Sequence, residues 1–157
     1  MFSDRFAWER RKVPIVTGSA KNWPRNIVVD TGVLVAAIDA DDLDHAWAKN
    51  VLTSLTGSFS TCEACLTEAV HLLENSAPAV ARLVRLIEPM TVVGFAPDAW
   101  KSALAEVVRR SPHLDYADAC IFMMVNHRRN SFALTVDDRD FSALRIPFAS
   151  PKGIFHP

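Results

Sequence analysis

Several features are scarce or missing. Cysteine occurs only three times in 157 residues, an odd number that excludes a complete disulfide framework and points to a reducing cytoplasm. The longest apolar runs fall short of the roughly 18 residues needed to cross a bilayer. Arg10, Arg11 and Lys12 are followed only by Val-Pro-Ile-Val-Thr-Gly, too short for the apolar segment of a secretory signal. No membrane association is therefore expected. There is no internal repeat, no low-complexity segment, no second C-x-x-C and no H-x₃-H, so a zinc site lacks its remaining ligands. Charge of one sign is also lacking: 17 basic and 18 acidic side chains leave a net charge of −1, which advertises neither a nucleic acid nor a membrane partner.

What is present describes a folded domain. Half the residues are hydrophobic and 22% are charged, with a mean hydropathy of +0.11, which excludes a disordered chain. The length fits one domain with a short appendage. The charge is unevenly spread. Residues 1–26 hold six basic and two acidic side chains, and the other 131 residues hold 11 basic and 16 acidic ones. A basic N-terminal extension (+4) thus precedes an acidic body (−5), residues 27–157. The extension lacks clean periodicity and ends in Trp-Pro-Arg-Asn, a loop entering the first strand.

From Ile27 onward, short β-like runs alternate with helical patterns. Strands are expected at residues 27–29, 58–60, 91–93 and 132–136, with one more around Phe148. Asp41 or Asp42 is placed to cap a helix whose Leu43, Trp47, Val51 and Leu55 recur every fourth residue. Cys62, Cys65, Leu66, Ala69, Val70 and Leu73 follow the amphipathic template. Pro78 opens a helix with the stripe Val80, Leu83, Val84 and Ile87. Pro97-Asp98 opens another, with Trp100, Ala103, Leu104 and Val107 inward. Residues 115–129 form a further helix. Strands joined by helical crossovers predict an α/β fold, a three-layer α/β/α sandwich around a central parallel sheet.

Ligands in such sheets bind beyond the carboxyl ends of the strands. Asp30 and Asp137 directly follow predicted strands, although each also suits the N-cap of a following helix. Asp118 is the sole charged residue in the ten residues 116–125. A helix apolar on nearly every side is buried, and an unpaired carboxylate there costs several kcal/mol, roughly, unless a cation or proton joins it. No Lys or Arg lies within a helical turn of it. Asp115, three residues earlier, shares its face and suits either a cap or the acidic cluster. Glu68 borders the apolar stripe of its helix, where a solvated side chain is the plain alternative. Four carboxylates from separate elements, none paired locally, are stable together only around hard cations, and oxygen ligation suits Mg²⁺ or Mn²⁺. Such ions activate water and neutralise the scissile group in phosphodiester hydrolysis.

The same residues carry a resemblance. Val29-Asp30-Thr31-Gly32, Leu66-Thr67-Glu68-Ala69-Val70-His71-Leu72-Leu73, Tyr116-Ala117-Asp118-Ala119 and Leu134-Thr135-Val136-Asp137, followed by Asp138-Arg139-Asp140-Phe141, resemble the PIN-domain ribonucleases, and among them the VapC-like toxins of toxin–antitoxin pairs. The resemblance implies an Mg²⁺- or Mn²⁺-dependent endoribonuclease acting on RNA, with Asp30, Glu68, Asp118 and Asp137 as catalytic metal ligands. It also implies that Thr31 and Thr135 orient the cluster and that Asp115, Asp138 or Asp140 assists. A homodimer, and an antitoxin protein laid into the active-site groove, go with it. Asp138 competes with Asp137 for the fourth position; Asp137 is preferred because it follows Thr-Val directly.

Other candidates have plainer explanations. Cys62-Glu63-Ala64-Cys65 has the placement of a redox pair, but both cysteines lie on an apolar stripe, which suits core residues. The five histidines show no metal or triad spacing, and a surface or capping role is expected for His45. Arg109–Arg110 and Arg128–Arg129 lie near helix ends, where they complement the dipole. An aspartyl-nucleophile phosphatase would carry an acid two residues after Asp30, where Gly32 stands. A catalytically silent PIN-fold scaffold acting through a protein partner is the non-enzymatic alternative.

Overall fold

The computed structural model describes residues 24–156. Residues 1–23, most of the basic extension, lie outside the described residues. The chain runs β1 (Asn26–Val29), α1 (Thr31–Ile38), α2 (His45–Ser54), β2 (Ser58–Cys62), α3 (Glu63–Leu72), α4 (Ala77–Ile87) and β3 (Thr91–Val93). It continues through α5 (Pro97–Arg110), α6 (Tyr116–His127), β4 (Ser131–Leu134), α7 (Asp138–Leu144), β5 (Phe148–Ser150) and β6 (Gly153–Phe155).

The strands form one sheet in the order β3-β2-β1-β4-β5-β6. All pairings are parallel except that of β5 with β6. Where one last strand was expected, the chain makes two. Only Pro151 and Lys152 separate them, far too few for the crossover that a parallel pair requires. Gly153, at φ 143°, supplies the backbone freedom for this tight return.

Side-chain alternation along the strands builds the three layers. Ile27 and Val29 of β1, with Phe132 and Leu134 of β4, pack against α1, α2 and α4. Val28 and Ala133 point the other way, toward α5, α6 and α7. Helix α3 serves both layers, with Cys65 on one side and Ala69 on the other. The sheet is therefore covered on both faces, as its apolar strands require.

Some local expectations shift. Helix α1 has no counterpart in the periodicity, because it is apolar on nearly every side and sits buried between β1 and α2. Helix α2 starts at His45, three residues after Asp42, because Asp42 Oδ1 accepts the Asp44 N–H (2.7 Å) and holds a preceding turn instead of capping the helix. Leu43 is consequently 96% exposed, while Trp47, Val51 and Leu55 are buried as expected. On α4 the buried residues are Ala79 and Leu83, and Val84 is 58% exposed. Ala103 and Val107 face inward on α5; the side chain of Trp100 lies outside the described residues. Strand β4 ends at Leu134, so Thr135 and Val136 belong to the segment leading to the site.

Candidate functional site

The strand order reverses between β1 and β4, the place where an open sheet leaves a crevice beyond its carboxyl ends. Asp30 stands there. Its N–H continues the β1–β4 ladder to Leu134 O at 3.0 Å. Its side chain is 8% exposed, and both oxygens are occupied. Oδ1 accepts from Thr31 N (2.8 Å) and Oδ2 from the Thr135 hydroxyl (2.8 Å). Thr31 Oγ1 donates in turn to Glu68 Oε2 at 2.6 Å, and Thr135 Oγ1 accepts from Asp137 N at 3.0 Å. One hydrogen-bond chain thus runs Asp137–Thr135–Asp30–Thr31–Glu68 and ties together β1, α3 and the segment after β4. Gly32 makes the close approach possible: a Cβ there would stand 2.5 Å from Val136 Cγ2.

Asp118 enters from the first turn of α6. Its Oδ2 accepts from Asp115 N (2.9 Å), and Asp115 Oδ1 accepts from Asp118 N (3.1 Å), a reciprocal capping box. Burial is the main cause that pushes the Asp30 carboxyl up to about 7, and the charges of Glu68 and Asp115 push the same way. Asp118 is raised to about 7 by burial, with Asp115, Asp30 and Asp140 adding repulsion. Among the described residues, no Lys or Arg forms an ion pair with Asp30, Glu68, Asp115, Asp118 or Asp137.

The acids after β4 divide their tasks. Asp137 caps α7, its Oδ1 accepting from Asp140 N at 2.9 Å, and its side chain is exposed. Asp138 is ion-paired with Lys152 and accepts from the Ser150 hydroxyl, so it fastens α7 to the β5–β6 return. Asp140 lies 3.4 Å from Arg139 Nε, and its charge reaches Asp118. The structure therefore gathers Asp30, Glu68 and Asp118, with Asp115 and Asp140 near them. It leaves Asp137 at the border and turns Asp138 away.

Cap and cluster roles are not exclusive: Asp30, Asp115 and Asp137 each cap a helix, and the charges of Asp30 and Asp115 also act within the cluster. Asp140, one of the expected assisting residues, stands three residues after Asp137, at the N3 position of the helix that Asp137 caps.

The donor set is all oxygen, negatively charged and mutually repelling, which fits a hard divalent cation. Among the described residues, no three His, Cys, Asp or Glu side chains stand ready-made as a metal cage. Asp30, Glu68 and Asp118 are the residues that would hold such an ion.

Beside the cluster, a groove of about 540 Å³ opens between α3 and α6, lined by Glu63, Thr67, Glu68 and His71 on one wall and Asp115, Tyr116 and Cys120 on the other. The polar stripe 63/67/71 at helical spacing was its unused sequence signal.

The remaining candidates take structural parts. All three cysteines are buried. A hydrogen bond to Cys120, together with burial, pushes the Cys62 thiol up to about 12, the opposite of an activated redox thiol. His45 Nδ1 donates to Ala36 O at 2.7 Å, joining α2 to α1. Arg109 and Arg110 both pair with Glu106 near the end of α5.

The PIN-domain family model matches residues 27–147. The chain belongs to the PIN-domain family. Among solved structures, this PIN domain is similar to the Mycobacterium tuberculosis VapC20, named a sarcin–ricin loop cleaving toxin, at 24% identity and a TM-score of 0.65, over 74% of this chain and 94% of that one. VapBC2 from Rickettsia felis, solved bound to a DNA fragment from its promoter, matches at 15% identity and a TM-score of 0.55, over 80% and 98% of the two chains. FitAcB from Neisseria gonorrhoeae matches at 16% identity and 0.52, over 80% and 98%. Among curated proteins no sequence matches significantly. No helix among the described residues of the PIN domain is long and apolar enough to cross a membrane.

Proposed function

We propose that this PIN domain is an endoribonuclease that hydrolyses RNA phosphodiester bonds with Mg²⁺ or Mn²⁺, and that it is the toxin of a toxin–antitoxin pair. The observation that carries the reading is the convergence of Asp30, Glu68 and Asp118 from three elements, with no basic partner among the described residues. Two of the three have carboxyls raised to about 7, a cost that a divalent cation relieves. The name of VapC20, a toxin that cleaves the sarcin–ricin loop, supports an RNA substrate.

In this reading Asp30, Glu68, Asp118 and Asp137 hold the ion. It supplies, when bound, an activated water and charge neutralisation at the phosphate. Thr31 and Thr135 act through the acids: each hydroxyl holds one carboxylate oxygen in place, as outer hydrogen bonds to metal ligands do. Asp115 keeps Asp118 at the head of α6, and Asp140 adds negative charge beside it. Below neutral pH Asp30 and Asp118 carry protons, so loading the site releases them. A small antitoxin covering the groove, a homodimer and a cytoplasmic setting complete the proposal.

The test is cleavage of structured RNAs by purified protein and by Asp118→Asn, with Mn²⁺ and with chelator. Cleavage by the wild type alone, abolished by chelator, is the expected result. Equal cleavage by the variant, or indifference to chelator, would overturn the mechanism. Absence of cleavage by either, with tight binding of a protein partner, would instead favour a silent scaffold.

A further inference from the structure

The groove between α3 and α6 extends beyond the acid cluster and opens directly onto it. Glu68 and Asp115 belong to both. Glu63, Thr67 and His71 line one wall at helical spacing, Tyr116 stands on the other, and Phe95 lies beyond the end of β3. Its volume of about 540 Å³ lies within the roughly 300–1,000 Å³ of small-ligand pockets. Tyr116 is 39% exposed and lines the groove together with Cys120, one turn later on α6. No Lys or Arg is among the described lining residues, so a phosphate is repelled and the neutral part of a nucleotide is favoured.

We infer that this groove is a subsite for one unstacked guanine of the RNA, with Tyr116 as stacking surface and the Glu63 carboxylate reading the base edge. The inference rests on the ribonuclease reading above. Single-stranded RNA is recognised by stacking on aromatic side chains and by hydrogen bonds to Watson–Crick edges. A carboxylate offers two acceptors and no donor. Guanine alone among the four bases presents two adjacent donors on that edge, N1–H and the 2-amino group. Adenine and cytosine pair one donor with an acceptor, and uracil sets its donor between acceptors. Glu63 is suited to the task because it opens α3, is exposed, and has no ion pair among the described residues. Its carboxylate rests against Gly94, where a Cβ would stand 3.1 Å from Oε2.

The test uses the full chain with Mn²⁺ and short single-stranded RNAs that differ at one central residue: guanosine, inosine or adenosine. Inosine keeps N1–H and lacks the 2-amino group. Wild-type kcat/KM should fall about tenfold from guanosine to inosine, the discrimination of a lost bidentate partner, and further with adenosine. Glu63→Gln should lower guanosine cleavage to the inosine level while changing inosine cleavage less than twofold. Gly94→Val, which fills the space beside the Glu63 carboxylate, should erode the preference in the same way, with a melting curve as the folding control. The same contrast is read without catalysis by titrating the oligomers onto Asp118→Asn. Cleavage with no difference between guanosine and inosine would overturn the subsite and leave the ribonuclease standing. Equal affinity for guanosine and inosine in the titration would overturn it as well. Displacement of the RNA by millimolar free arginine, without that contrast, would reassign the groove to a cationic side chain. Absence of both cleavage and binding would remove the ribonuclease reading along with the subsite.

Discussion

Replacing Asp30 by Asn should make the metal-free protein more stable at alkaline pH and leave it without benefit in acid. Asp30 is buried, and its carboxyl is raised from 3.8 to about 7. The folded state therefore holds the proton more tightly than the unfolded chain does, so stability falls as pH rises from about 4 to about 7 and then levels off. At about 1.4 kcal/mol per pH unit, the penalty grows by about 4 kcal/mol between pH 4 and pH 8. Asparagine carries no such penalty. It keeps one acceptor for Thr31 N but turns an amide toward the Thr135 hydroxyl, a loss of about 1 kcal/mol. The variant should thus gain about 3 kcal/mol at pH 8 and lose slightly at pH 4. For a chain of this length that is roughly a 10 °C rise in Tm at pH 8. Thermal denaturation with chelator across pH 4–8 measures it. Adding Mn²⁺ at about a hundred times its Kd should then return about 2.7 kcal/mol to the wild type and nothing to the variant. A difference in Tm that does not change with pH, or equal stabilisation of both by Mn²⁺, would refute the argument.

Thr31→Val removes the hydroxyl that holds Glu68 and keeps the β-branched shape, so Mn²⁺ affinity by calorimetry should weaken about 10- to 100-fold with little change in Tm. Gly32→Ala drives a methyl into Val136 and should cost about 1–3 kcal/mol; Val136→Ala in the same chain should recover most of it, read by urea denaturation. Asp138→Asn loses its partners Lys152 and Ser150 but should keep nuclease activity within about threefold, whereas Asp118→Asn should lose at least about a hundredfold. Because the Cys62 thiol is raised to about 12, alkylation at pH 8 should leave it unmodified until the protein unfolds, as mass spectrometry after iodoacetamide would report.

The alternation of β-branched runs with amphipathic stretches determined the sandwich and the order of most of its elements, since each element must bury one face and the period of the pattern says which kind it is. It also determined that Asp118 would be an expensive carboxylate, because its neighbours along the helix are apolar whatever they pack against. Local pattern failed where burial is complete. Helix α1 has no polar face to reveal its period, and the β5–β6 return depends on two residues between strands too short to announce themselves.

Which acids meet was a tertiary matter. Asp137, Asp138 and Asp140 are indistinguishable as charges in the chain, and only the fold divides them. Asp138 turns to Lys152 because α7 packs beside the β5–β6 return. Asp140 reaches Asp118 across two helices, and Asp137 spends its side chain on a cap. The threonine links are likewise invisible in one dimension, for Thr135 and Asp30 are 105 residues apart. Composition and period decide which surfaces must be buried. The distance between charges, and hence the repulsion that invites a cation, is decided only when the strand order brings β1 and β4 side by side.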